Sequence, residues 1–216
     1  MALLAAFLWM SGASAAAQPA GRAVFDAAGC AACHRVDERG GNTGPDLSFV
    51  GFRRGRPWLE LWLKDPKAWK PDTLMPRPGL SDADRGAVVD YLASLQGPPP
   101  GRRPWDATDP PRRGEVLFRR AGCVACHGPG GKGGHPNNNV RGGVVPAVDR
   151  VAETFTLEEL VKKIAGGAHP QKSDPAGADP LAAMPAWGET LDDAELRAVA
   201  AYLMTLGGGK AKADVW

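Results

Sequence analysis

All four cysteines of the chain fall in two copies of one pentapeptide, Cys30-Ala31-Ala32-Cys33-His34 and Cys123-Val124-Ala125-Cys126-His127. On a helical turn, cysteines at this spacing share one face, and the histidine projects beside them. Two thiols so placed can form thioethers with the two vinyl groups of a haem, while the imidazole is aimed at the iron. A zinc site of four thiolates also pairs cysteines in this way, but it gives no role to the histidine after each pair. A thioredoxin-like redox motif needs a preceding strand, whereas the flanks here are rich in Gly and Ala. A disulfide framework does not suit cysteines this close together in a chain of 216 residues. The expected cofactors are therefore two covalently bound haem c groups.

The elements that carry the motifs are duplicated as well. Gly21 to Cys30 aligns without gaps to Gly114 to Cys123, and Leu80 to Leu95 aligns to Leu191 to Leu206. The same unit thus occurs twice, the second copy carrying an insertion. Residues 1–17 read as a signal peptide or N-terminal anchor, 18–96 as the first domain, 97–113 as a linker and 114–216 as the second. No charged residue precedes Arg22; Ala2 to Met10 is apolar, and Ala13-Ser14-Ala15 and Ala15-Ala16-Ala17 fit a secretory cleavage pattern. Export to the periplasm is the expectation, with cleavage near Ala17 or retention as an anchor.

The linker, Gly97-Pro98-Pro99-Pro100-Gly101-Arg102-Arg103-Pro104 through Pro110-Pro111, reads as a semi-rigid extended spacer. Its arginines, Arg102, Arg103, Arg112 and Arg113, read as solvated spacer charge, the alternative being that they meet propionates or an acidic partner. A net charge of +2 gives no basis for a nucleic-acid partner.

Elsewhere the pattern is helical. Ser81 precedes a stripe of Val88, Leu92 and Leu95, and Thr190 to Asp193 opens a matching stripe of Leu196, Val199, Leu203 and Leu206. Thr156 and Glu159 form a capping box, and Pro57 and Pro66 bracket a helix bearing Trp58 and Trp62. No stretch alternates convincingly, so little sheet is expected. Each unit is small enough that side chains alone make a marginal core, and a porphyrin would complete it.

With Gly21, Phe25 and Tyr91 in the first half and Gly114, Phe118 and Tyr202 in the second, each half resembles a class I cytochrome c domain. The resemblance covers nearly everything from Ala20 to Leu206 and implies an all-α fold, two tandem domains joined by the Pro/Arg-rich linker. It implies that those six residues pack a crossing of first and last helices. It also implies a sixth iron ligand from a Met-Pro pair before the last helix, namely Met75-Pro76 and Met184-Pro185. His169-Pro170 stands almost as far beyond His127 as Met75 does beyond His34, and is a rival for the second iron. His135 reads as a loop residue. The resemblance further implies that the carbonyls of Pro45 and Pro146 orient the histidines, and Arg53, Arg54, Trp58 and Trp69 are candidate propionate partners.

The expected site residues are Cys30, Cys33, His34 and Met75 in the first half, and Cys123, Cys126, His127 and Met184 in the second. Histidine and methionine together favour Fe(II) and a raised potential. The function implied is outer-sphere electron transfer between a donor and an acceptor protein, in a free carrier or in the cytochrome subunit of a membrane respiratory complex. A di-haem peroxidase needs an open sixth position, against which both Met-Pro pairs argue. Expressed without covalent haem attachment, the chain is expected to lose most of its helical circular dichroism.

Overall fold

The computed structural model describes residues 14–207. The apolar run Ala2 to Met10, and the candidate leader or anchor built on it, lie outside them but for its last residues. In chain order the elements of the first half are α1 (Ser14–Ala27), a short hairpin β1 (Arg35–Val36) and β2 (Arg39–Gly40), α2 (Val50–Arg53), α3 (Arg56–Lys64), α4 (Pro66–Trp69) and α5 (Asp82–Ala93). The second half comprises α6 (Pro110–Arg120), α7 (Val124–His127), α8 (Leu157–Gly166) and α9 (Asp193–Thr205). The hairpin is the one sheet among the described residues, antiparallel with Arg35 opposite Gly40. None of the described helices is long and apolar enough to cross a membrane.

Helix boundaries follow local chemistry. Ser81 caps α5 by accepting the Asp84 N–H at 3.1 Å, and Pro57 sits in the first turn of α3, where its missing N–H costs nothing. Asp65 ends α3 and caps α4 through the N–H of Lys67 at 3.1 Å, so Pro66 begins a new turn. Thr156 and Glu159 form the expected capping box on α8. The opening of α9 is more specific than the sequence suggests: Asp192 is the cap, in a reciprocal box with Glu195. Leu95 falls beyond the end of α5.

In each half the first helix crosses the last, α1 on α5 and α6 on α9. A Cβ on Gly21 would lie 2.1 Å from the carbonyl oxygen of Ala87, and one on Gly114 would lie 2.1 Å from that of Ala198. Only hydrogen fits there. Beside each crossing an aromatic pair packs, Phe25 with Tyr91 at 5.5 Å and Phe118 with Tyr202 at 5.6 Å. α3 then covers α5, and α8 covers α9.

The two halves share apolar contacts. Phe49 of the first half is fully buried among Trp105 and Trp187, at 5.8 and 6.1 Å, and Phe52 lies 5.1 Å from Trp187. In the other direction Leu181 packs on the first-half core. The loop carrying Leu181 is fastened by three consecutive asparagines. Asn137 exchanges hydrogen bonds with the backbone of Ala182 (2.8 and 3.1 Å), Asn138 with Asp179 and Leu181 (2.8 and 2.7 Å), and Asn139 donates to Asp174 and Ala178 (2.9 and 2.7 Å).

The connection is not the solvated spacer expected from its composition. α6 already begins at Pro110, and Trp105 and Arg103 are buried against α9. Arg103 donates to Glu195 and to the carbonyl of Thr190, while the Trp105 indole donates to the other Glu195 oxygen. Burial made the difference: Trp105 supplies enough apolar surface to pull the chain inward, and Glu195 satisfies the charge carried with it. Arg103→Met strands the Glu195 carboxylate and is expected to cost about 3–5 kcal/mol. The double replacement Arg103→Met with Glu195→Gln should recover part of that loss in thermal unfolding.

Candidate haem sites

Each motif sits just beyond the first helix of its half, so the helix crossing sets its position. Cys30 to Ala32 form one turn of 3-10 helix after Gly29, whose φ of 73° is the left-handed turn that redirects the chain. Cys126 and His127 end α7. All four cysteines are free thiols. Among the described residues no three His, Cys, Asp or Glu side chains converge on one point. Burial raises the Cys30 thiol and pushes Cys123 up to about 12, the latter opposed by the charge of Arg53. Groups held neutral in this way suit uncharged thioethers better than thiolates.

The histidines are oriented as the sequence implied. His34 Nδ1 lies 2.8 Å from the carbonyl oxygen of Pro45, and His127 Nδ1 lies 3.1 Å from that of Pro146. A carbonyl only accepts, so each Nδ1 carries the proton and each Nε2 presents a lone pair. Gly44 lets the loop close on the first ring, since a Cβ there would stand 2.6 Å from His34 Cε1. Burial draws the His127 imidazole below its ordinary value, partly opposed by the Pro146 bond and reinforced by Arg54. That favours the neutral ring a metal requires.

Met75 and Met184 are half-buried, each packed against the core of its own half. Met184 exchanges backbone hydrogen bonds with Ala168, at 2.9 and 3.0 Å, which places His169 immediately beside it. His169 is exposed. Both line a cleft of about 480 Å³ between the halves, whose opposite wall is Phe52, Arg53 and Arg54.

That wall bears on whether the residues fit a haem. Arg53 Nε, Arg54 Nη1, Trp58 Nε1, Trp69 Nε1 and Arg35 Nε are buried donors with no partner in the protein. Leaving one such group unpaired costs about 1–3 kcal/mol, so several in neighbouring elements call for acceptors. A haem offers two propionate carboxylates beside an apolar ring, and the donor set fits it.

Some residues acquire roles that their sequence context did not show. Arg120 of α6 reaches into the first half, its Nε 2.6 Å from buried Asp46 and its Nη2 3.0 Å from the Asp37 carbonyl. Asp46 adjoins Pro45, so this ion pair braces the loop that orients His34. Arg54 Nη2 lies 3.0 Å from Cys126 Sγ. His135 lies in a loop, as expected, but that loop buries it between the halves against Trp58 and Trp62. Its Gly/Asn-rich neighbourhood has no periodicity that would have revealed this.

The cytochrome c family model matches residues 19–96 and again 111–207. The chain is 31% identical over 134 residues to the Cbb3-type cytochrome c oxidase subunit FixP of Azorhizobium caulinodans, covering 61% of this chain and 37% of that protein. It is 32% identical over 211 residues to the Cbb3-type cytochrome c oxidase subunit CcoP of Rhodobacter capsulatus, covering 88% and 63%. It is also 32% identical over 104 residues to the cytochrome c6 of Tetradesmus obliquus, covering 48% and 93%. The chain thus spans less than two thirds of its FixP and CcoP relatives. It belongs to the cytochrome c family. Each match encloses one Cys-x-x-Cys-His motif, so the protein is a tandem cytochrome with two covalently bound haem c groups.

Burial of His135 has a pH signature. Desolvation lowers it from 6.5 to about 4, opposed by the Pro136 carbonyl and by Asp72, and assisted by the charges of Arg54 and Lys70. The unfolded chain therefore takes up this proton first, and stability falls as pH drops from 6.5 towards 4. Urea unfolding across that window should show a shallower slope for His135→Phe than for the wild type.

Proposed function

We propose that the protein is an extracytoplasmic electron carrier in which Cys30, Cys33, Cys123 and Cys126 form the thioethers. His34 with Met75, and His127 with Met184, take the axial positions of the two irons. The observation that carries this reading is the pair of histidines, each held by a proline carbonyl with Nε2 left to bind metal. When bound, haem supplies a one-electron Fe(II)/Fe(III) couple. The protein's residues hold the ligands rigid and keep water from the ring. Met184 packs into the core whereas His169 is exposed, which supports methionine on the second iron. Methionines in both positions leave no open site for peroxide.

The units are 18–96 and 114–216, the first turn of α6 at 110–113 joining the second and 97–109 packing mainly onto it. The names of the FixP and CcoP relatives support a place in a membrane respiratory complex of the oxidase type. In that setting the chain passes electrons from a donor protein to the complex. Leu74, next to Met75, is 98% exposed and would offer an apolar contact at the edge of the first site.

Mass spectrometry of mature protein is expected to show two haem adducts, and Cys123→Ala with Cys126→Ala to leave one. Met184→Ala should abolish one Met–Fe(III) charge-transfer band and lower one potential, while His169→Ala changes neither. The reverse result would reassign the second ligand.

A further inference from the structure

Trp62, on α3, donates its indole Nε1–H to the sulfur of Met75 at 2.9 Å. A thioether sulfur has two lone pairs, so one can face a metal while the other accepts a hydrogen bond. A donor on the second lone pair fixes the direction of the first and draws electron density from it. The indole is held in its turn. Trp58, one turn earlier, stacks on it with centroids 5.1 Å apart and planes 12° from parallel. The guanidinium of Arg54 lies 4.3 Å from the Trp58 ring centroid.

The last member of this stack comes from the other half. The His135 ring lies 6.2 Å from Trp58 and 6.0 Å from Trp62, tilted against both, and is only 8% exposed. Its Nδ1 donates to the Pro136 carbonyl at 3.0 Å. The next residue, Asn137, fastens the loop whose Leu181 packs on the same first-half core. The second half thus closes over the side chains that hold Met75.

We propose that Trp62 is a positioning residue for the Met75 sulfur, and that His135 locks it there, so that the second half helps set the potential of the first haem. No bond is made or broken and no proton moves. The hydrogen bond makes sulfur a poorer donor, which favours Fe(II) over Fe(III). The inference rests on Met75 as the ligand and deepens that reading.

Optical redox titration of the holo-protein tests it. Trp62→Phe keeps the ring and removes the donor. It is expected to shift the first haem's equilibrium towards Fe(III) by about tenfold, ~59 mV for one electron, with the second haem unmoved. His135→Ala should move the same haem in the same direction by less and weaken its Met–Fe charge-transfer band, and His135→Phe should restore both. An unchanged first potential in Trp62→Phe, an equal shift of both haems, or a silent His135→Ala would overturn the proposal. Where Trp62→Phe does not fold, the wild-type indole N–H gives a reading free of that variant. By NMR it should exchange slowly and be shifted by the oxidised iron, and fast exchange would count against the bond. Met75→Ala separates the two levels. If the band survives it, the ligand assignment fails; if the band is lost while Trp62→Phe is silent, only the present inference fails.

Discussion

Everything in either half is hung from a place where two helical backbones touch without a side chain between them. At Gly21 and Gly114 the first helix lies so close to a carbonyl of the last that a methyl group would overlap it. That approach fixes the direction in which each first helix ends. The cysteine motif begins within a few residues of that end, so the same contact fixes where thiols and imidazole stand. The aromatic pairs beside the crossing then exclude water from it. Close packing converts a glycine into a positioning device for chemistry several residues away.

Duplication supplied two such frames, and side-chain exchange has made them dependent on each other. Phe49 and Phe52 are first-half residues that finish the second-half core, while His135 and Leu181 do the converse. Polar contacts follow the same logic. Arg120 braces the loop that orients His34, and Arg54 spans from the Trp58 ring to Cys126. None of these residues has its counterpart at the matching position of the other copy. The repeat is symmetric where it builds a frame and asymmetric where the frames meet.

Much of this was legible because it is local. The attachment motifs and the caps at Ser81 and Thr156 are short-range patterns with one physical meaning each, whereas the crossing glycines and the prolines whose carbonyls accept from the histidines were legible through the resemblance to class I cytochrome c. The rest depends on partners distant in sequence. Arg103 looks solvated among prolines until Glu195, on the last helix, comes to meet it. The triple asparagine looks like a flexible loop until its amides find a backbone far downstream. His135 carries no periodic signal, and its burial follows from a surface that only the folded first half provides. Composition describes a segment in water, and these segments are not in water.

The coverage of the second attachment site has a bearing on maturation. Burial pushes the Cys123 thiol up to about 12, and the guanidinium of Arg53, from the other half, lies over neighbouring Gly122. Cys30, its match in the first half, is half-buried as well, and the halves differ at the second cysteine, where Cys33 is exposed and Cys126 half-buried. Attachment chemistry must reach the thiols, and at the second site the first half supplies one of the covering walls through Arg53 and Arg54.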